Sequence, residues 1–350
     1  MLYQITSDVK HQIILTSKEK EIYLDPTQIL AENYVFISHA HIDHMLNKTA
    51  IRKFNLRNKI MCSPETVAIA NLRGYFFEKE ICFQDDCTLV DTGHILGSKG
   101  LLIGNEIFYT GDLSMRDRAF LRKPSIPKAE TLIIETTFGK PEYIFPPIGQ
   151  ITHSVNSLVS EMYSRGVPVI LMGYSLGKAQ VLTSLFGAWK PLIVHDEIFK
   201  FNQMYEQFGV SLENSTSLSD AIELGLLDKG PWIMIHPLTN GKHPKISHYR
   251  QKYGAVTIGF SGWALNRNYR NMMNLDYVIP FSDHCDHSEL LEVVKKCNPR
   301  KIYTFHGFQE EFANYLVKLG YDAVPIKRGS SKVRKESKRL LKTKSLDNYF

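Results

Sequence analysis

The sequence predicts a mixed α/β protein made of two unlike parts, and three observations carry that prediction. Residues 1–144 read as short β-branched runs bounded by turn residues, residues from 151 onward alternate helices with apolar strands, and a dense run of histidines closes one early strand. With 350 residues, 43% of them apolar and 11% aromatic, the chain can bury a large core and build two or so domains.

Taken in order, the sheet-rich part offers HQIILTS, EIYLDP, NYVFISH, KIMCSP, TLVDTG and LLIGNEIFYTGD, the last with a Gly104-Asn105 pair suited to a tight hairpin. One helix is expected at about Pro64–Arg73, where Ser63 offers an N-cap and Pro64 a first-turn proline. The second part then reads as a helix (ITHSVNSLVSEMYSRG), a strand (VPVILMG), a helix (SLGKAQVLTSLFGAW), a strand (PLIVH), a helix (KFNQMYEQFG) and two strands (PWIMIHP, AVTIGF). Such alternation implies a mostly parallel sheet. The strand YVIPFSD, helix HSELLEVVKKC, strand KIYTFHG, helix QEEFANYLVKLG and strand YDAVPI complete the body. There is no internal repeat, and after Ile326 the chain turns to Lys, Arg and Ser.

No apolar run approaches the roughly 20 residues that span a bilayer, and MLYQITSDVK lacks a leader pattern, so an intracellular, cytoplasmic protein without membrane attachment is expected. Five scattered cysteines without a CxxC pair form neither a disulfide framework nor a zinc ribbon, and reduced core thiols are expected. The net charge of +6 is uneven: residues 327–350 carry nine Lys/Arg and two acids, leaving 33 basic against 34 acidic residues before them. A near-neutral body with a basic tail points to polyanionic partners.

The chemistry concentrates in His39-Ala40-His41-Ile42-Asp43-His44, directly after NYVFISH. Ligand-type groups at i, i+2, i+4 and i+5 cannot share one pocket along a continuing strand, but a strand-to-turn transition can divide them between two adjacent metals.

This HxHxDH run resembles the metal motif of the metallo-β-lactamase fold, and the resemblance extends over nearly the whole body. It implies a supporting carboxylate at Asp25 (YLDP), a further ligand at His94 (DTGHILGS) and a bridging Asp112 (YTGDLS). Glu135 in LIIETTFG, His284 in PFSDHCD and His306 in YTFHG are similar to the three additional motifs of the β-CASP nucleases. By resemblance, His39, His41 and His94 hold one metal, Asp43, His44 and His306 the other, and Asp112 bridges. Asp43 and Asp112 are thereby also placed among the catalytic groups, and His284, supported by Glu135, serves as general acid. Two divalent cations are implied, zinc first and manganese as the alternative; about 3.5–4 Å apart, they would clamp a phosphodiester and activate a water. His11, His153, His195, His236, His243, His248 and His287 lack such motif context and are taken as ordinary surface, core or cleft residues.

The architecture implied is a metallo-β-lactamase αββα sandwich assembled from about residues 1–144 and 276–326, an inserted β-CASP α/β domain at about 145–275, and a basic tail at 327–350. Within the insert, GYSLGKAQ follows a strand and opens a helix without being a P-loop, because Lys178 is followed by Ala179. Its helix N-terminus, with Ser175 and Lys178, is a candidate phosphate cradle, to which the later Ser282 is added. GYSLGKAQ, FSGWA and FSDH…HG together resemble the exonuclease-like β-CASP proteins encoded with DNA ligases, which makes a ligase or helicase a conceivable partner. RNA-processing β-CASP members and the ligase-associated group both carry a histidine at the position of His306, so that residue leaves DNA and RNA open.

The last eight residues, TKSLDNYF, resemble the sliding-clamp-binding peptide of replication and repair proteins, with Leu346, Tyr349 and Phe350 as anchors and Thr343 where that motif usually has Gln. The reading that follows is a metal-dependent DNA repair nuclease, with an exonuclease in view. Its rivals are an RNA 3′-end-processing ribonuclease, a catalytically dead nucleic-acid scaffold and a small-molecule hydrolase.

Overall fold

The structure, a computed structural model, describes residues 3–7, 12–29, 31–54, 56, 59–77 and 86–326. The basic tail with its clamp-type peptide, and His11 and Cys82, lie outside the described residues.

Strands β1 (Gln4–Ser7), β2 (Ile13–Thr16), β3 (Glu21–Leu24), β4 (Tyr34–Phe36) and β5 (Ile60–Met61) form one sheet in that order. Next, β6 (Cys87–Asp91), β7 (Lys99–Ile103), β8 (Ile107–Tyr109) and β9 (Thr131–Glu135) begin a second. The expected hairpin at Gly104-Asn105 joins β7 to β8, pairing Ile103 with Ile107. The insert contributes β10 (Val169–Gly173), β11 (Leu192–Val194), β12 (Thr216–Ser217), β13 (Ile233–Pro237), β14 (Val256–Ser261) and β15 (Tyr277–Pro280). Last come β16 (Lys301–Phe305) and β17 (Ala323–Pro325), which return to the second sheet and complete the order β17-β16-β9-β8-β7-β6.

Side-chain alternation shows how the first two sheets are covered. Phe36, Leu15 and Leu24 of the first meet Ile133, Leu101, Tyr109 and Phe305 of the second in one apolar layer. The neighbours of those residues point outward. Val35 and Ile37 face Val67 and Ala70 of helix Pro64–Leu72, and Leu132 and Ile134 face Leu290 and Val294 of helix His287–Cys297 and Phe312 of helix Gln309–Lys318. The layers are therefore helix, sheet, sheet, helix. Helix Pro64–Leu72 starts as the sequence predicts, with the Ser63 side chain accepting from the Thr66 amide.

The insert is a wholly parallel sheet in the order β12-β11-β13-β10-β14-β15. One face packs on helices Ile148–Ser164, Lys178–Phe186 and Asp196–Gln207, and the other on Leu218–Glu223 and Pro244–Tyr253. Because β15 pairs with β14 as far as Pro280, we place the return to the first body after that residue rather than at 275. Among the described residues, no helix is long and apolar enough to cross a membrane.

Candidate metal centre

The histidine run begins just past β4, where the Ile37 amide still pairs with Met61 and the Ser38 amide has turned to Asp25 Oδ1 at 2.6 Å. A short 3-10 turn at Ile42–His44 then brings His44 back beside His39, with ring centroids 4.2 Å apart. Gly111 allows the Asp112 turn to close over this segment: its φ is +53°, and an added Cβ would sit 2.5 Å from Ser38 Cβ.

Hydrogen bonding sets the tautomers. The Ser38 hydroxyl donates to Asp25 Oδ2 at 2.6 Å, so at 2.9 Å from His39 Nδ1 it accepts the ring proton. Leu176 carbonyl, 3.1 Å from His41 Nε2, takes that ring's proton, and Asp283 carbonyl, 2.8 Å from Nδ1, takes the proton of His94. Lone pairs therefore remain on His39 Nε2, His41 Nδ1 and His94 Nε2. They face one another, with His41 Nδ1 at 2.9 Å from His39 Nε2 and 3.2 Å from His94 Nε2. No proton is left to place between them. A cation is the group such a donor set fits.

Asp112 occupies the middle, its Oδ2 3.5 Å from His39 Nε2, 3.5 Å from His94 Nε2 and 3.4 Å from His44 Nε2. His44 Nδ1 lies 2.9 Å from Asp25 Oδ2, which also accepts from Tyr109 at 2.8 Å, an arrangement that aims His44 Nε2 inward. That Nε2 and Asp112 Oδ1 are buried without a hydrogen-bond partner. His306 completes this half from the end of β16, held at φ +59° while its carbonyl accepts from Thr136 Oγ1 at 2.6 Å. Among the described residues three groupings share Asp112: His39, His41 and His94 with Asp112, His44 and His306 with Asp112, and Glu135 and His284 with Asp112. Asp43, expected beside the second, stays at the rim: its side chain is 76% exposed and Oδ2 is 3.8 Å from His44 Nε2.

The field of the site matches that division. Burial holds His39, His41, His94 and His306 below the ordinary imidazole range, so they are neutral and able to ligate. For His44 burial also opposes charge, but Asp112, Asp25 and Asp43 outweigh it and push the ring up to about 10. The acidic surroundings favour positive charge there.

His284 stands beside the shared carboxylate, with Nε2 4.0 Å from Asp112 Oδ2 and Nδ1 3.1 Å from Glu135 Oε1. Glu135, fully buried at the end of β9, also accepts from the Leu113 amide at 3.3 Å and the Thr137 amide at 2.8 Å. Burial lowers the His284 pKa, yet the Glu135 charge and then Asp112 prevail and raise it to about 9. A cavity of about 350 Å³ lined by Asp25, Asp43, His44, Tyr109 and His306 opens on the second half of the centre.

The three residues expected to bind phosphate each have a partner within the protein. Lys178 is buried, its ammonium 3.0 Å from Asp283 Oδ1 and over the Tyr174 ring, so its charge is spent within the protein. Ser175 donates to Glu197 Oε2 at 3.2 Å. Ser282 is buried and accepts from the His284 amide at 2.9 Å, which makes it a support for that histidine. Outside the expected set, buried Arg118 donates to the carbonyls of Gly93, His94 and Ser282, clamping the His94 turn. Of the histidines set aside, His287 is a core residue, bonded through Nδ1 to the Gly139 carbonyl at 2.9 Å.

A family model described as the Zn-dependent metallo-hydrolase RNA specificity domain, RMMBL, matches residues 270–325, which include His284 and His306. The chain belongs to the metallo-β-lactamase/β-CASP family. Over 304 residues it is 33% identical to a probable DNA ligase of Opitutus terrae, covering 82% of this chain and 28% of that protein. It is 28% identical over 181 residues to an RNase J-like protein of Methanocaldococcus jannaschii, covering 43% of this chain and 42% of that one. The 5′ exonuclease Apollo of Rattus norvegicus is 23% identical over 296 residues, 76% of this chain and 49% of Apollo. The β-CASP chain therefore spans less than half the length of these relatives. A crystal structure of a protein of unknown function from Enterococcus faecalis V583 superposes with a TM-score of 0.62 at 14% identity, covering 94% of this chain and 98% of that one, and so shares the fold.

Proposed function

We propose that this chain is a two-metal nuclease that hydrolyses phosphodiester bonds of DNA. The observation that carries the reading is the convergence of the unprotonated nitrogens of His39, His41 and His94, together with the rings of His44 and His306, on the single carboxylate of Asp112, with His284 alongside. We assign His39, His41 and His94 to the first divalent cation, His44 and His306 to the second and Asp112 to both, with Asp43 able to join from the rim. When bound, two such cations supply Lewis-acid stabilisation of the phosphoryl oxygens and an ionised water.

The remaining chemistry is the chain's own. Glu135 favours the protonated form of His284, whose Nε2 lies at the edge of the centre 4.0 Å from Asp112 Oδ2, so the imidazolium can deliver its proton to the departing oxygen of a phosphodiester bound beside it. Asp25 fixes His44 directly and His39 through Ser38, which keeps the Nε2 of each ring aimed at Asp112 before substrate arrives.

DNA is preferred because the probable DNA ligase of Opitutus terrae aligns over 82% of this chain and because the tail resembles a sliding-clamp peptide. RNA is the second reading, favoured by the RNA specificity description matched at 270–325 and by the RNase J-like relative. Zinc is the proposed metal. Incubation of the purified chain with end-labelled single- and double-stranded DNA and matched RNA, with zinc or manganese, tests the proposal. Products from DNA support the first reading; products from RNA alone favour the second; metal-independent or absent cleavage of both overturns the nuclease reading.

A further inference from the structure

The insert supplies no ligand side chain to the first metal grouping, yet it touches one of its three histidines directly and reaches a second through Asp283. Leu176, in the loop after β10, accepts the proton of His41 Nε2 at 3.1 Å. Lys178, two residues on, pairs with Asp283 Oδ1 at 3.0 Å, and the main-chain carbonyl of that same Asp283 accepts from His94 Nδ1 at 2.8 Å. Between them, Gly177 has φ +87°, and a Cβ there would lie 2.2 Å from Ile95 Cγ2, adjacent to His94. No L side chain suits that conformation or that space.

The surroundings fix this loop. Ala40, Ile95 and Ile69 of the first body share one apolar cluster with Leu176, Phe201 and Tyr205 of the insert. Arg73 donates to the Ala40 carbonyl at 2.8 Å and lies over the Phe201 ring, tying the histidine run to the insert from the other side. Burying an ammonium and a carboxylate together contributes little to stability on balance, so the Lys178–Asp283 pair is better explained by the geometry it enforces.

We propose that Leu176, Gly177 and Lys178 form a positioning element through which the insert sets the affinity of the first metal. It acts by fixing His41 as the tautomer protonated on Nε2 and by holding the Asp283 carbonyl against His94. The inference rests on the assignment of His39, His41 and His94 to a metal. Groups that orient ligating histidines typically change metal affinity by about 10–100-fold when lost.

The test uses the full chain with zinc, in Gly177→Ala and in the double variant Lys178→Met/Asp283→Asn, which removes the buried charge pair without leaving one member unpaired. Affinities of the two sites are measured by competition with a chelating indicator, and the His41 tautomer of the zinc-free chain by nitrogen-15 NMR. The expected result is a first site weakened about 10–100-fold with the second unchanged, and a His41 ring no longer confined to one tautomer. Wild-type affinity at both sites in both variants overturns the inference while leaving the ligand assignment standing. Equal weakening of both sites with a lowered melting temperature also overturns it, since that marks a general loss of stability. A wild-type chain that binds no zinc through His39, His41 and His94 overturns the assignment itself.

Discussion

Replacing Glu135 by Gln removes one negative charge from a fully buried position while keeping the shape of the side chain. His284, 3.1 Å away and 20% exposed, titrates at about 9 in the cation-free chain against an ordinary 6.5, with burial working against that rise. The difference amounts to roughly 3 kcal/mol in favour of the imidazolium, and the Glu135 charge is its leading favourable source. Without it, the pKa of the ring should fall and the imidazolium be less populated at neutral pH. Cleavage of an oligonucleotide should then slow by about 10²–10⁴-fold, as it should in His284→Ala, because the departing alkoxide receives no proton. The two changes disable one device, so the double variant should be no slower than either single one. An activated nitrophenyl phosphodiester, whose leaving group needs no proton, separates this from other causes: its hydrolysis should be nearly unaffected. Equal slowing on both substrates, or loss of metal in Glu135→Gln, would refute the general-acid role.

The acidic setting of His44 also makes metal binding pH-dependent. Its ring, at about 10 without metal, must release a proton to ligate through Nε2, so affinity at the second site should climb as pH rises from about 6 toward 10, and calorimetry in buffers of different ionisation enthalpy should detect the released proton. His306→Ala should weaken the second cation and spare the first, whereas His39→Ala should do the reverse; metal analysis under limiting chelator tells them apart. In the tail, replacing the Lys/Arg residues of 327–342 should weaken nucleic-acid binding uniformly across sequences and flatten its dependence on salt concentration. Tyr349→Ala with Phe350→Ala should instead abolish clamp binding and spare cleavage of short oligonucleotides, as calorimetry with the clamp and a gel assay would show.

Much of this was legible because local signals agreed with the fold. Ser63-Pro64 marks a helix start, Gly104-Asn105 a hairpin, and each candidate ligand follows a strand end, where rigid backbone presents a side chain to a pocket. The short elements were not seen: β12 has two residues, and helix Lys48–Lys53 a single capped turn and a half, too little for periodicity to register. Helix Pro244–Tyr253 had its cues, Pro244 at the start and Gly254 in the left-handed conformation after the end, but its mean polarity hid them.

At the site, residue type singled out the histidines that converge on Asp112, but it could not show how Lys178, Ser175 and Ser282 are paired within the fold. A lysine at a helix start reads as a phosphate donor only if it reaches solvent, and burial against Asp283 is a property of the fold. The Leu176 and Asp283 carbonyls that set two tautomers carry no sequence signature at all, because any residue has a carbonyl.

In the proposed function, five histidines and Asp112 hold metal for phosphodiester cleavage. Metal analysis of protein purified without chelator, paired with cleavage before and after chelation and metal return, tests it most directly. Two transition-metal ions per chain, with cleavage lost on removal and restored on return, is the predicted result; a stoichiometry near zero and no metal-dependent cleavage on addition would contradict it.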